Sequence, residues 1–259
     1  MKRSVAPVRA LGRVIRAPGF VLLLWLAQLL LAKLLAGPVR AAAQAGMRGH
    51  TWFDDGHRLR AVAELLVDEP AIMATLSSAL SAGAIVAGLF SVVAAPAMLT
   101  RLAGERSAAA VLGAVGARLP AMLVQTGYGL VFRAICTGLA AIPATLLGAG
   151  GVPLVLLIAS FPILVLDRAR AAVVLEDERP YHPKTFLRAL VHVGKRPLWW
   201  VSGTILEALK IGVGVVALLL VIQLGGGIWL ARGAGLLAVA LGLWRVALAV
   251  PDAQAPVRP

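Results

Sequence analysis

Six apolar runs dominate the chain, and each is long enough to cross a lipid bilayer. A spanning helix needs about 20 mostly apolar residues, because the hydrocarbon core is about 30 Å thick. The runs lie at residues 18–37, 72–99, 120–147, 151–170, 198–223 and 233–250. They predict an all-α, polytopic membrane protein with six transmembrane helices. We expect a single membrane domain over residues 1–259, ending in a short disordered tail at 251–259.

Composition supports the membrane class, since 60% of the residues are hydrophobic and 14% are charged, with a mean hydropathy of +0.88. A formal charge of +13 would suggest nucleic acid as the partner of a soluble chain. Here the bases cluster beside apolar runs, where cytoplasmic loops and anionic lipid headgroups explain them. The expected partners are therefore membrane lipids, anionic ones included, and no nucleic acid.

The distribution of Lys and Arg predicts the orientation. Fifteen bases lie before the first run, between the second and third runs, and between Asp167 and Pro197, against five in the other connections. Cytoplasmic loops carry the excess of positive charge, so both termini should be cytoplasmic. The first run contains Lys33 and is longer than a signal-peptide core, which favours an uncleaved span. The sequence thus predicts a multi-pass protein of the bacterial cell (inner) membrane.

A repeated unit precedes two of the runs. Residues 9–18 read RALGRVIRAP and residues 188–197 read RALVHVGKRP, while residues 111–120, VLGAVGARLP, form a weaker third copy. Each copy predicts a short amphipathic helix at the membrane interface, an elbow, followed by a proline and a helical hairpin. The hairpin units would cover about 5–100, 107–176 and 183–250. The bases expected to contact lipid headgroups are Arg9, Arg13, Arg16, Arg118, Arg188, Lys195 and Arg196.

The segment around the last copy resembles a known membrane domain. It contains Val-Val-Leu-Glu-Asp at 173–177, Pro180, Phe-Leu-Arg-Ala-Leu at 186–190 and Trp-Trp at 199–200. Over about residues 170–210 this order is similar to the membrane domain found beside some bacterial glycerophosphodiester phosphodiesterases, and to related bacterial membrane families. The resemblance implies a helical membrane fold and carries over no catalytic residue.

Ionisable residues inside the apolar runs are the candidate site. Lys33, Arg133 and Lys210 lie 15, 13 and 13 residues after the prolines of the three copies, about 20 Å into each leading helix. In one interpretation Arg133, Glu207 and Lys210 line a polar intramembrane site. In the other, Glu207 and Lys210 neutralise each other at i and i+3, while Lys33 and Arg133 extend to the interfaces. The second interpretation is favoured.

The connection at residues 38–70 carries His50, Trp52, Asp54, Asp55 and His57. Two histidines beside two carboxylates suggest a metal site, but their spacing matches no zinc signature. A membrane-apposed loop is the better interpretation. The sequence therefore assigns no catalytic, cofactor-binding or metal-ligating residue.

The sequence predicts a class of function but no specific activity. A scaffold or assembly subunit of a membrane complex is the first hypothesis, with a membrane-protein partner or a second copy of the chain as its partner. The alternative is a transporter or lipid-handling protein with a polar intramembrane site, and an intramembrane enzyme is a distant third.

Overall fold

The computed structural model describes residues 6–46, 70–179, 181–224 and 228–251. The described residues are helical, without strands. The α-helices are α1 Ala6–Ile15, α2 Pro18–Gly46, α3 Pro70–Leu102, α4 Ala108–Leu147, α5 Val152–Leu175, α6 Pro183–Gly194, α7 Pro197–Leu224 and α8 Ile228–Ala249, with a 3₁₀ turn at Gly148–Gly151.

Within the described ranges, four stretches are long and apolar enough to cross a membrane: Met73–Leu102, Ala108–Leu175, Pro197–Ile222 and Trp229–Ala249. A fifth arises if α1 and α2, which bend by 80° between Ile15 and Pro18, count as one span. The described part of the chain is therefore all-helical, with four to five candidate spans by length and composition. One candidate, at 68 residues, contains both α4 and α5.

The chain divides into two compact units. Unit 1 comprises Met1–Val21, Ser91–Ile211 and Ala240–Pro259, and unit 2 comprises Leu22–Phe90 and Gly212–Val239. Within unit 2, the indole Nε1 of Trp25 on α2 donates to the carbonyl of Arg232 on α8 at 3.0 Å. This bond satisfies a polar group that would otherwise be unpaired in an apolar setting.

Within unit 1, α4 and α5 pack antiparallel. Met122 shares a buried cluster with Val173, and the Phe132 and Phe161 rings lie 5.9 Å apart. Glycines close the connection between the two helices. Gly148 has φ 52°, a conformation that side chains disfavour, and a Cβ on Gly151 would lie 2.3 Å from the Pro143 carbonyl oxygen.

Two of the three predicted elbows are present, and they share their backbone hydrogen bonds. The Ala17 N–H donates to the Val14 carbonyl at 3.0 Å, and 179 positions later the Arg196 N–H donates to the Val193 carbonyl at the same distance. The next helix then starts at a proline, which has no N–H to leave unpaired in a first turn. The sequence-predicted short helix and its break at the proline are confirmed for these two copies.

The same repeat positions are buried in both elbows. Ala10 and Ala189 are 2% and 3% exposed, and Val14 and Val193 are 5% and 0% exposed. Each elbow therefore packs one apolar stripe inward, while Arg9 and Arg16 of the first elbow and Arg188 of the second are exposed. The Arg-Ala-Leu (RAL) motif that begins both copies thus specifies a buried packing surface as well as a charge pattern.

The third predicted elbow, at residues 111–118, is wrong. The helix α4 begins at Ala108, where Ser107 Oγ accepts from the Ala110 N–H at 3.3 Å, and it continues through Pro120 to Leu147. Pro120 deprives α4 of one backbone hydrogen bond, yet the helix continues past it, so no break separates residues 111–118 from the helix that follows.

Side-chain hydrogen bonds join the first elbow to α8. Arg13 donates from Nη1 to the carbonyls of Ala247 at 3.2 Å and Val250 at 2.7 Å, and from Nη2 to that of Pro251 at 3.0 Å. Trp244 Nε1 donates to the Pro7 carbonyl at 2.8 Å. The last carbonyls of a helix lack intrahelical partners and carry partial negative charge, so a guanidinium stabilises this end of α8.

We predict that Arg13→Met destabilises the protein by about 1.5–3 kcal/mol, the value typical of hydrogen bonds to charged groups. Tryptophan-fluorescence unfolding in lipid nanodiscs measures the change. Arg16→Met, which removes an exposed base from the same elbow, is the matched control and should have little effect. Equal destabilisation by both variants would show that the contacts with the carbonyls do not hold the elbow.

Candidate functional site

Four charged side chains from three helices of unit 1 form what we call the ionic network: Asp167 on α5, Glu207 and Lys210 on α7, and Arg245 on α8. Arg245 Nε donates to Asp167 Oδ2 at 2.8 Å, and its Nη1 donates to Glu207 Oε1. Lys210 Nζ donates to Glu207 Oε2 at 3.3 Å. One guanidinium thus bridges carboxylates of two other helices.

Most of the network is removed from solvent. The side chains of Asp167, Glu207 and Arg245 are 6%, 11% and 14% exposed, whereas that of Lys210 is 40% exposed. An unpaired charge at such a site would be costly, because hydrocarbon and protein interior solvate ions poorly. The pairing explains how three ionised groups are accommodated between apolar helices.

Close approach of α5 and α7 brings the carboxylates together. A Cβ on Gly203 would lie 2.4 Å from Leu164 Cδ2, so a larger residue here would have to displace the Leu164 side chain. Ser160 Oγ and Thr204 Oγ1 are 2.6 Å apart. Gly203 lies four residues before Glu207, and residues at i and i+4 share a helix face. The same contact surface therefore presents Glu207 toward Asp167 and Arg245.

A further buried base, Arg170, lies beside the network. It is 5% exposed, and its Nη2 donates to Thr126 Oγ1 at 2.7 Å and Ser91 Oγ at 3.4 Å. It interacts electrostatically with both Asp167 and Arg245. Hydroxyl groups of α3 and α4 therefore hold a cation that lies near the Asp167 carboxylate.

The predicted site residues are only partly brought together. The contact between Glu207 and Lys210 is present, as the neutralisation interpretation expects. Arg133 has an exposed side chain outside the hydrogen-bonded network, although its charge acts repulsively on Lys210. The side chain of Lys33 is exposed.

Sequence reasoning missed Asp167 and Arg245. Asp167 stands at the start of the interval counted as a cytoplasmic connection, whereas α5 continues to Leu175, and the sequence pattern does not single out Arg245 within the last apolar run. Both residues interrupt apolar helices, and an ionisable residue in such a position indicates a partner. The sequence therefore marks both residues as unusual, but their pairing across 78 positions depends on the tertiary structure.

Most of the predicted headgroup bases are on the surface. The exposed members are Arg9, Arg16, Arg188, Lys195 and Arg196. Arg13 contacts the end of α8, as described above, and Arg118 pairs with Asp177 at 2.7 Å. Arg188 also approaches Glu178 at 3.5 Å while its side chain stays 70% exposed. Headgroup contact remains a prediction for the exposed set.

No group of three His, Cys, Asp or Glu side chains capable of holding a metal ion occurs within the described ranges. His50, Asp54, Asp55 and His57 lie outside the described residues. Cys136 is buried, as expected of a small hydrophobe. The chain matches no protein-family model, no curated protein and no solved structure.

The second elbow carries a cationic groove along α6. Its walls are formed by Lys184, Leu187, Arg188, Val191, His192 and Lys195. His192 lies edge-on to Trp199, with ring centroids 5.7 Å apart. Burial lowers the pKa of His192 below its ordinary value, and the positive charges of Arg168 and Arg196 lower it further, against a weaker opposing effect of Glu176.

We predict that His192 makes stability depend on pH. Its folded pKa lies below the ordinary value of 6.5, so the unfolded chain binds the proton first as pH falls. This contribution is present above about pH 6.5 and is lost as pH falls toward the folded pKa. Thermal unfolding at about pH 7.5 and about pH 5.5 should show a smaller difference for His192→Asn than for the parent chain. An unchanged difference would contradict this.

We also predict that Arg245→Met is far more destabilising than Lys210→Met. The first leaves two buried carboxylates without their guanidinium, at a cost of about 3–5 kcal/mol. The second removes a 40% exposed base and should cost about 0–1 kcal/mol. Unfolding in nanodiscs measures both changes, and similar losses would show that the network does not depend on Arg245.

Proposed function

We propose that the protein is a scaffold or assembly subunit of a membrane complex. The observation that supports this most is the ionic network, in which Arg245 joins Asp167 and Glu207. Both carboxylates already accept hydrogen bonds from cations of the same chain, so their first role is to hold the helices together. Ion pairs of this kind suit a protein whose role is to keep a fixed shape in the bilayer.

The apolar surface supports the same proposal. In the candidate span Pro197–Ile222 the most apolar window is only 17% buried, and the other three candidates reach 28–29%. On α7 of unit 1, Val201, Ile205 and Leu209 are 45%, 53% and 50% exposed and recur every four residues. Lipid or a neighbouring membrane protein would cover such a face, and a scaffold requires the latter.

Topology is part of the proposal. We infer six spans as three hairpins in the cell (inner) membrane, with both termini cytoplasmic, because the bases are distributed so unequally among the connections. The antiparallel pair of α4 and α5 supplies two of the spans. The resemblance of residues 170–210 to the membrane domain beside glycerophosphodiester phosphodiesterases is consistent with this arrangement.

A lipid-handling or transport function is the second candidate, and one observation favours it. Lys210 keeps 40% of its side chain exposed, and the exposed Arg133 is close enough to repel its charge. Two cations at this position would attract an anionic group, such as a lipid phosphate, between the helices. In that case Lys210 would contact both Glu207 and the ligand.

Photo-crosslinking from α7 separates these functions. A photoreactive amino acid replaces the 53% exposed Ile205 or, as the matched control, the adjacent Leu206, which is 4% exposed. In native membranes we expect Ile205 to cross-link to one membrane protein, or to a second copy of the chain, in a fixed ratio. Leu206 should give only intramolecular products.

Cross-links from Ile205 to lipid alone would contradict the scaffold proposal. Lipid adducts that disappear in Lys210→Met would instead favour lipid handling. Because Lys210 is expected to contribute little to stability, this variant tests the ligand without unfolding the chain.

A further inference from the structure

Four arginines line a small pocket in unit 1, between the first elbow and the end of α3. They are Arg13, Arg16, Arg101 and Arg106, and the pocket has a volume of about 260 Å³. None of these arginines belongs to the ionic network or to the groove on α6. A role for this pocket therefore does not depend on the scaffold proposal.

Local backbone geometry builds the pocket wall. The helix α3 ends at Leu102, and Gly104 follows with φ 113°, a conformation that glycine adopts without strain. The Glu105 N–H donates back to the Thr100 carbonyl at 3.2 Å, and Arg101 Nη1 donates to the Glu105 carbonyl at 2.8 Å. This turn brings Arg101 and Arg106 to the same pocket.

The floor is apolar and the rim is cationic. Leu102 and Ala17, both lining residues, are 3% and 5% exposed. Arg16 and Arg106 are exposed at the rim. Both residues line the pocket, and an ordered turn fixes the backbone beside each of them, the elbow break before Pro18 and the turn at Gly104.

The carboxylate of Glu105, which is adjacent to Arg106 in the sequence, is directed toward the start of α4. Glu105 Oε1 accepts from the backbone N–H groups of Arg106 and Ser107 at 2.8 and 2.7 Å, and so caps the start of α4. The Arg101 bond goes to a carbonyl, which is a neutral acceptor. The positive charge of Arg16, Arg101 and Arg106 is therefore available to a bound anion.

We propose that this pocket binds a phosphate group. Guanidinium forks match the oxygens of phosphate in two-point hydrogen bonds, and several arginines around a small concavity select for more than one negative charge. The volume is slightly below the range of about 300–1,000 Å³ that is typical for drug-sized ligands, which favours a headgroup-sized anion. Beside it, α1 exposes Val8 and Ile15, so the phosphate can belong to an anionic lipid or be free in solution.

Binding to the purified full-length chain tests the proposal. In nanodiscs of zwitterionic lipid, inorganic pyrophosphate is titrated by calorimetry. In a second arm, native mass spectrometry counts the lipids retained from nanodiscs that contain phosphatidic acid. Saturation in the first arm identifies a soluble phosphate site, and retention in the second arm alone identifies a lipid site. Either result supports the proposal.

Matched double variants locate the site. Arg16→Gln with Arg106→Gln should weaken binding at least about tenfold, which corresponds to about 1.4 kcal/mol. Arg179→Gln with Lys184→Gln removes two exposed bases next to the second elbow, neither of them a predicted headgroup contact, and should leave binding nearly unchanged. If the first variant fails to fold, Arg16→Lys with Arg106→Lys keeps the charge, removes the forks and should still weaken binding. Absence of binding in both arms, or equal loss in the control, would overturn the proposal.

Discussion

The ion pairs of Arg245 with Asp167 and Glu207 are the constraint on which unit 1 depends. A guanidinium and two carboxylates cannot be left apart among apolar helices, since each would carry an uncompensated desolvation cost. Together they tie α5, α7 and α8 to one another, because one guanidinium donates to carboxylates on two other helices. Gly203 lies in the same contact between α5 and α7, where a side chain would collide with Leu164. Close packing and charge pairing therefore act at the same helix contact.

The two elbows show one sequence unit with two local outcomes. Their backbone hydrogen bonds and buried positions coincide, because the RAL motif and the closing proline dictate both. The repeat also places Arg13 and His192 at equivalent positions. Arg13 holds the carboxyl end of α8, whereas His192 packs on Trp199 beside two other bases. In the first elbow, Arg16 pairs with no carboxylate of the described residues and lines a pocket. The second elbow carries an open cationic groove.

Much of the fold was predictable because it is local. Apolar runs of bilayer length, amphipathic repeats and proline positions predict the helices, the class of protein and two of the elbows. Pro120 shows the limit of this reasoning, since the same Arg-x-Pro pattern lies there within a continuous helix. The contact of Glu207 with Lys210 was predictable from its spacing. Asp167 and Arg245 were not paired in advance, because nothing in the sequence states which buried acid meets which buried base.

The distance between Arg245 and its carboxylates in a bilayer tests the central claim most directly. With ¹⁵N-arginine and side-chain ¹³C-aspartate and glutamate, solid-state NMR in lipid measures their dipolar couplings, and Asp167→Asn and Glu207→Gln assign them. The account predicts strong couplings from one guanidinium to both carboxyl carbons, consistent with the 2.8 Å contact between Arg245 Nε and Asp167 Oδ2. Absence of these couplings in folded protein would mean that the buried charges have other partners, and it would contradict the account.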